Sequence, residues 1–207
     1  VSLLFQKGTP FIYQGQELGM TNCHYKREDY RDIQTINFMN DIEKKPFGKF
    51  ILPFVMFFYK RYARDNARTP MQWDNTANAG FTTGTPWAKI NDNYLEINAA
   101  DEMRDPDSVL NFYKTALKVR KDYADVIRDG KYIPVHANDN QVFAYIRDNG
   151  KKKILVVCSL SPKAVKFKPH MDLCGSFHMI LSNTENPPMP ANSMQLRPCE
   201  CAVYELF

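Results

Sequence analysis

The chain has 207 residues, with 27 Lys and Arg against 23 Asp and Glu and a formal charge of +4. Its 44% hydrophobic, 13% aromatic and 24% charged content excludes a disordered, collagen-like or disulfide-scaffold chain and leaves a globular protein with a sizeable core. The charge is too mild to argue for a nucleic-acid partner. The most apolar run, residues 50–59, is about half of the roughly 20 residues needed to span a bilayer, so no membrane partner is expected.

The chain opens on Val1-Ser2-Leu3-Leu4-Phe5-Gln6, which reads as the tail of an apolar element and so as an internal piece of a longer chain. Gly8-Thr9-Pro10 then punctuates the sequence, and Phe11-Ile12-Tyr13 before Gly15 predicts one buried strand. Polar residues from Gln14 to Asp32 show no clean period and predict a long loop, the kind of segment that often carries function. Residues 33–62 are helix-compatible but broken by Pro46, Gly48 and Pro53, and the aromatic run inside them reads as a buried or partner-covered helical turn. Residues 64–84 are rich in Asn, Thr, Pro and Gly and predict a structured loop. The only tryptophans, Trp73 and Trp87, fall in or just beyond it. Their rings either pack the loop down, the reading that their large area favours, or form platforms for sugar.

The clearest helix is predicted from Asp105, with Pro106 in its first turn, to about Tyr123, its apolar positions forming one stripe. Beyond Gly130 the period changes to two. Strands are predicted over 132–135, 142–147, 154–160, 164–167, 177–181 and 202–206, separated by Asp-Asn, Asn-Gly, Ser-Pro and Pro-Pro punctuation, a spacing that suggests a small antiparallel sandwich. The chain therefore divides into residues 1–127, helix and loop around one buried strand, and residues 128–207, all β.

The residues that could carry chemistry cluster in Gln14-Gly15-Gln16-Glu17 and Arg64-Asp65-Asn66-Ala67-Arg68. Side chains that emerge where a strand stops can point into a cleft, as at the C-terminal face of α/β barrels. Two arginines four apart could face one carboxylate or a polyhydroxy ligand with their forked donors; equally, they could pin the loop through ion pairs. His24, His136, His170 and His178 show no metal-ligand or triad spacing. The five cysteines, Cys23, Cys158, Cys174, Cys199 and Cys201, contain no C-x-x-C pair and read as small buried or half-buried thiols in a reducing compartment. G-x-G-x-x-G and G-x-x-x-x-G-K are absent, which disfavours nucleotide binding. Lys151-Lys152-Lys153 follows an Asn149-Gly150 hairpin signal and reads as a solvated turn. Neither a cofactor nor a metal is expected. No leader with a basic stretch followed by an apolar one opens the sequence, and a cytoplasmic location is expected.

Four ordered stretches are more specific than any of these features alone: Gly8-Thr9-Pro10-Phe11-Ile12-Tyr13-Gln14-Gly15-Gln16-Glu17-Leu18-Gly19-Met20, Arg64-Asp65-Asn66-Ala67-Arg68-Thr69-Pro70-Met71-Gln72-Trp73-Asp74, Asn78-Ala79-Gly80-Phe81 and Asp105-Pro106-Asp107-Ser108-Val109-Leu110. Over nearly the whole chain they resemble the C-terminal part of α-glucosidases of the oligo-1,6-glucosidase, maltase and trehalose-6-phosphate hydrolase branch of the α-amylase superfamily, glycoside hydrolase family thirteen. The resemblance implies an α/β plus all-β fold: the C-terminal end of a (β/α)8 barrel followed by a small antiparallel β-sandwich. It makes the first six residues the end of the seventh barrel helix, residues 9–14 the eighth strand and residues 105–123 the last helix. The missing N-terminal part of the barrel would be the partner of this segment.

The resemblance also implies a retaining mechanism, in which one carboxylate forms a glycosyl-enzyme and a second carboxyl group acts as acid and then base. The family's G-F-R-x-D and N-H-D motifs are absent here, so no catalytic residue carries over and the chain alone is expected to be inactive. What carries over is Arg68, which matches the family arginine that pairs with an upstream aspartate and holds the sugar at the non-reducing end. Arg64, Asp65 and Glu17 are weaker candidates, expected to shape the pocket and hold its loop. Arg31-Asp32-Ile33-Gln34 departs from the relatives' R-D-[VI]-E. The substrate so implied is a short α-glucoside oligosaccharide with α-1,4 or α-1,6 linkages. The alternative is a non-catalytic carbohydrate-binding or assembly module derived from such an enzyme.

Overall fold

A computed structural model describes residues 1–135, 140–173 and 175–207; His136 and Cys174 lie outside the described residues. The chain forms two compact units, one of Ile12–Asn111 and the other of Val1–Phe11 with Phe112–Phe207.

The unit of Ile12–Asn111 is built from short helices tied by loops. Helix α1 spans Ile33–Glu43 and α2 spans Gly48–Tyr59. Asp32 caps α1, its carboxylate accepting from the Thr35 backbone N–H, which satisfies one of the donors a helix N-terminus leaves open. The two helices meet at a tight corner. A Cβ on Gly48 would lie 1.9 Å from the Ile42 carbonyl oxygen, so no larger residue fits there. Phe38 of α1 stacks on Tyr59 of α2 with ring centroids 4.9 Å apart. Beneath them Cys23, Tyr25, Tyr30, Met39 and Ala63 are buried, with Ile36, Leu52 and Met56 packed against them. The unit also holds 3-10 turns at Gln16–Leu18, Arg27–Asp29, Arg64–Arg68, Ala77–Gly80 and Asp92–Leu95 and the short helix α3, Ala99–Glu102. A second small core joins Leu18, Met71 and Ala99 to Met20, Ile97 and Leu110.

Three expectations change over residues 9–122. Residues 9–14 form no strand, and Phe11 is 84% exposed; a parallel strand exists only through its ladder partners, and none of the described segments pairs with it. The aromatic run lies in a continuous helix that contains Pro53, and Phe50 at 85% and Phe54 at 68% exposed rule out the buried alternative while leaving the partner-covered one as an expectation. The late helix, α4, spans Val109–Asp122 and so starts after Asp105. The Asp105 carboxylate instead accepts from the Asp107 N–H at 2.9 Å, and the Ser108 hydroxyl oxygen accepts from the Asn111 N–H at 3.2 Å, which gives Ser108 the capping role.

In the other unit, residues 1–6 make a single turn, Phe5 N–H bonding to the Val1 carbonyl at 3.2 Å. Helix α5, Ala124–Asp129, precedes seven strands: β1 Lys131–Pro134, β2 Val142–Asp148, β3 Lys153–Ser159, β4 Val165–Phe167, β5 Phe177–Ser182, β6 Met194–Leu196 and β7 Cys201–Leu206. The larger sheet has the order β1-β2-β3-β7-β5, and β4 pairs with β6 in a second sheet; every pair is antiparallel. Strand β6 was not expected from the sequence. Val142, Ala144, Ile146, Leu155, Val157, Ala202 and Tyr204 share one core with Val165, Phe167, Met194 and Leu196 of the small sheet, which is the packing of a sandwich. The reverse face is covered too, so β3 reads as a near-continuous apolar run. There Arg147 is buried and donates to the Ile127 carbonyl of α5 at 2.7 Å, and Tyr123 donates to Glu205 at 2.6 Å. Arg120 donates to the carbonyls of Leu4, Gln6 and Gly8, pinning the opening segment.

Candidate active-site cleft

The unit of Ile12–Asn111 carries a cleft of about 380 Å³ whose wall includes Tyr13, Glu17, Arg68, Trp73, Phe81 and Trp87. A larger cavity of about 810 Å³ lies elsewhere in this unit, between Cys23, His24, Phe57 and Tyr62. It brings no carboxylate to its wall, whereas the smaller cleft joins a carboxylate, a guanidinium and two indole rings, the polar and aromatic mixture a sugar requires.

Arg68 is positioned by a chain of carboxylates. Asp65 is buried and accepts from the backbone N–H groups of Arg31 at 2.9 Å and Asp32 at 3.1 Å, which fixes the start of α1. Asp32 is buried in turn. Its Oδ1 accepts from Arg64 Nη2 at 2.7 Å and Arg68 Nη1 at 3.3 Å, while Oδ2 accepts from the Thr35 hydroxyl at 3.1 Å. Burial opposes ionisation of Asp32, but hydrogen bonds from Arg64 and Thr35 outweigh it and hold the carboxyl below its ordinary range. The anion thus persists where two cations need it. Arg68 remains half exposed, its Nη2 and Nε making no hydrogen bond among the described residues, so donors are left to meet a ligand.

Glu17 lies on the 3-10 turn Gln16–Leu18, and its Oε2 is buried without a hydrogen-bond partner among the described residues. A buried acceptor left unmet is costly. Tyr13 on the same wall donates to the Ala67 carbonyl.

Trp73 and Trp87 are 52% and 55% exposed. Each is thus about half covered, and other groups also hold the loop. Gln72 is fully buried and donates to Asn93 and Ile97, and the Trp73 N–H donates to the Ala79 carbonyl at 2.9 Å. Asn78 and Ala79 both take left-handed backbone, φ 57° and 55°. Gly80 follows at φ +65°, where a Cβ would meet Asp74 Oδ2 at 2.6 Å. Loop strain is thus concentrated directly behind Trp73.

Of the four residues singled out from the sequence, Arg68 and Glu17 line the cleft, whereas Arg64 and Asp65 are absent from its wall and act on Asp32. Asp32 itself was missed as a site residue. Its position before an apolar helical run signals a cap, but its bond to a residue 36 positions later leaves no local trace. Gln34 is exposed on the first turn of α1. No group of three or more His, Cys, Asp or Glu able to hold a metal occurs among the described residues, and no helix among them is long and apolar enough to cross a membrane.

Residues 1–130 match the family "Alpha amylase, catalytic domain" and residues 132–189 match "Alpha amylase, C-terminal all-beta domain". The chain belongs to the α-amylase family, its first part to the (β/α)8 catalytic domain and its second to the antiparallel all-β domain. It is 44% identical over 208 residues to a probable oligo-1,6-glucosidase 2 of Bacillus subtilis, covering 99% of this chain and 36% of that protein. It is 37% identical to the trehalose-6-phosphate hydrolase of the same organism, covering 97% and 36%. Among solved structures, Bacillus licheniformis trehalose-6-phosphate hydrolase superposes with a TM-score of 0.87 at 36% identity over 98% of this chain and 37% of that one. Isomaltulose synthase from Klebsiella sp. LX3 gives 0.85 at 36% identity, over 99% and 36%. The chain thus spans a little over a third of the length of these relatives.

Proposed function

We propose that the chain supplies the sugar-holding side of the active site of a retaining α-glucosidase that hydrolyses α-1,4 or α-1,6 bonds at the non-reducing end of short oligosaccharides. The observation that carries this reading is Arg68, clamped on the buried Asp32 and lining a cleft that also holds Trp73 and Trp87. A guanidinium fixed on one side by a carboxylate can orient sugar hydroxyls on the other, and loss of orientation by about 1 Å costs on the order of a hundredfold in rate. Arg64 and Asp65 act by holding Asp32, and Glu17 by shaping the wall of the cleft.

A retaining mechanism needs two carboxyl groups roughly 5–5.5 Å apart, and Glu17 is the one carboxylate on the cleft wall among the described residues. In this proposal the 207 residues alone do not hydrolyse glucosides. Residues 1–127 belong to the barrel and act with its N-terminal part, residues 128–207 form the β domain, and the protein works in the reducing cytoplasm. The half-exposed indole rings favour a second reading, a non-catalytic sugar-binding module. Saturable heat on titrating the chain with isomaltose or maltose would support that module, and its absence supports the first reading.

The test of the first reading compares hydrolysis of p-nitrophenyl α-glucoside by the chain and by a chimera carrying the N-terminal two-thirds of the B. subtilis relative. We expect no turnover by the chain and clear turnover by the chimera. Turnover by the chain alone, or a folded chimera without activity, overturns the proposal.

A further inference from the structure

Cys158 of β3 and Cys201 of β7 are direct partners across the antiparallel ladder. The neighbouring Ser159 N–H donates to the Glu200 carbonyl at 2.7 Å, so Ser159 and Glu200 occupy a hydrogen-bonded position. Because the ladder alternates, Cys158 and Cys201 occupy a non-hydrogen-bonded one, where Cα atoms approach to about 4.5 Å and side chains crowd together. A disulfide needs Cα atoms about 4.4–6.8 Å apart, so the backbone already has the required spacing. The Cys201 thiol donates to the Cys199 carbonyl at 3.8 Å. Their surroundings differ: Cys158 is fully buried and Cys201 is half-buried. The neighbouring Cys158 thiol lowers the pKa of Cys201, and the pairing with Cys201, together with burial, raises that of Cys158. A partly exposed sulfur beside a shielded second sulfur is the division of labour that thiol–disulfide exchange requires.

We propose that Cys158 and Cys201 form an oxidative modification site: a dithiol that exchanges with small-molecule disulfides such as oxidised glutathione and closes a cross-strand bond between β3 and β7. The Cys201 thiolate attacks one sulfur of the small disulfide; its S–S bond breaks, one thiolate leaves, and a mixed disulfide remains on Cys201. Cys158 then gives up its proton, attacks Cys201 Sγ and expels the second small thiolate. Two protein thiols are oxidised by two electrons, one small disulfide is reduced to two thiols, and the protons from the protein thiols end on those products. The bond fastens β7, an inner strand between β3 and β5, and shortens the unfolded chain's accessible loop.

The test incubates the folded chain with excess oxidised glutathione, then maps its peptides without reduction. The expected product has lost the mass of two hydrogen atoms, links the Cys158 and Cys201 peptides, and unfolds at least about 5 °C higher than the reduced chain. Cys158→Ala should accumulate a mixed disulfide on Cys201, and Cys199→Ser should close the bond unimpeded. Cys199 is exposed two residues upstream and supplies the competing outcome. A Cys199–Cys201 link, glutathione on Cys199 alone, or Cys158 that reacts only after unfolding each overturns the proposal. Because the wild-type peptide map decides the matter, the test does not depend on a variant that folds.

Discussion

Asp32 and Arg68 meet through a 3.3 Å hydrogen bond between Oδ1 and Nη1, and the same carboxylate caps α1 through the Thr35 N–H. One side chain thus couples the start of a helix to the guanidinium in the cleft. Arg64 completes the arrangement at 2.7 Å, and Asp65 fixes it from behind by accepting from the backbone of residues 31 and 32.

Replacing Asp32 separates the two roles. Asp32→Ala loses the cap and leaves two guanidinium groups without their anion, so urea unfolding should show a loss of about 2–3 kcal/mol. Asp32→Asn keeps a good capping group and should lose about 1 kcal/mol less.

The pH dependence of this unit follows from the same group. Asp32 ionises below its ordinary value of 3.8, so its stabilising contribution is complete above that value and is lost as pH falls through the lowered folded one. Urea midpoints of the wild type and Asp32→Asn should therefore differ most near neutrality and converge on acidification. Glu102 has the opposite sign. Burial raises its carboxyl above 4.5 despite a bond from the Leu110 N–H, so its cost to folding sets in as pH rises through 4.5 and is complete above the raised value. Glu102→Gln, which can still accept from Leu110, should raise the midpoint at pH 7 and leave it nearly unchanged in acid.

Gly80→Ala tests the loop behind Trp73. The new Cβ would fall 2.6 Å from Asp74 Oδ2 at φ +65°, a position costly for any residue with a side chain. A loss of about 1–3 kcal/mol is expected, with a change in intrinsic tryptophan fluorescence before global unfolding, because only Trp73 and Trp87 report.

Much of the β unit was legible because its residues record their own burial. Val142 to Arg147 and Ile154 to Ser159 alternate between two covered faces, and Asn149-Gly150 marks their turn, Gly150 at φ +82°. Strand β6 escaped because three residues, Met194–Leu196, are too few to show a period. Phe11-Ile12-Tyr13 misled for another reason: its apolar pattern suits a strand with neighbours on both sides, and such pairing is a property of the fold around it. In the cleft, Arg68 and Glu17 were found through ordered motifs. Asp32 was not, because its importance arises only when the chain returns at residues 64 and 68.

Arg120→Met should destabilise the β-containing unit while retaining most of the side-chain stem. The carbonyls of Leu4, Gln6 and Gly8 lose one shared donor group, for which about 2–4 kcal/mol is expected in thermal or urea unfolding. Hydrogen exchange should localise the loosening to residues 1–8.

The central claim, that Arg68 holds sugar in the cleft, is tested most directly by the kinetics of the chimera with wild-type, Lys or Ala at this position. With isomaltose as substrate, Arg68→Ala should lower kcat/KM by about a hundredfold or more, and Arg68→Lys should recover only part of it, because a point charge cannot replace a forked donor. An Arg68→Ala chimera that folds and hydrolyses isomaltose at the wild-type kcat/KM would contradict the account.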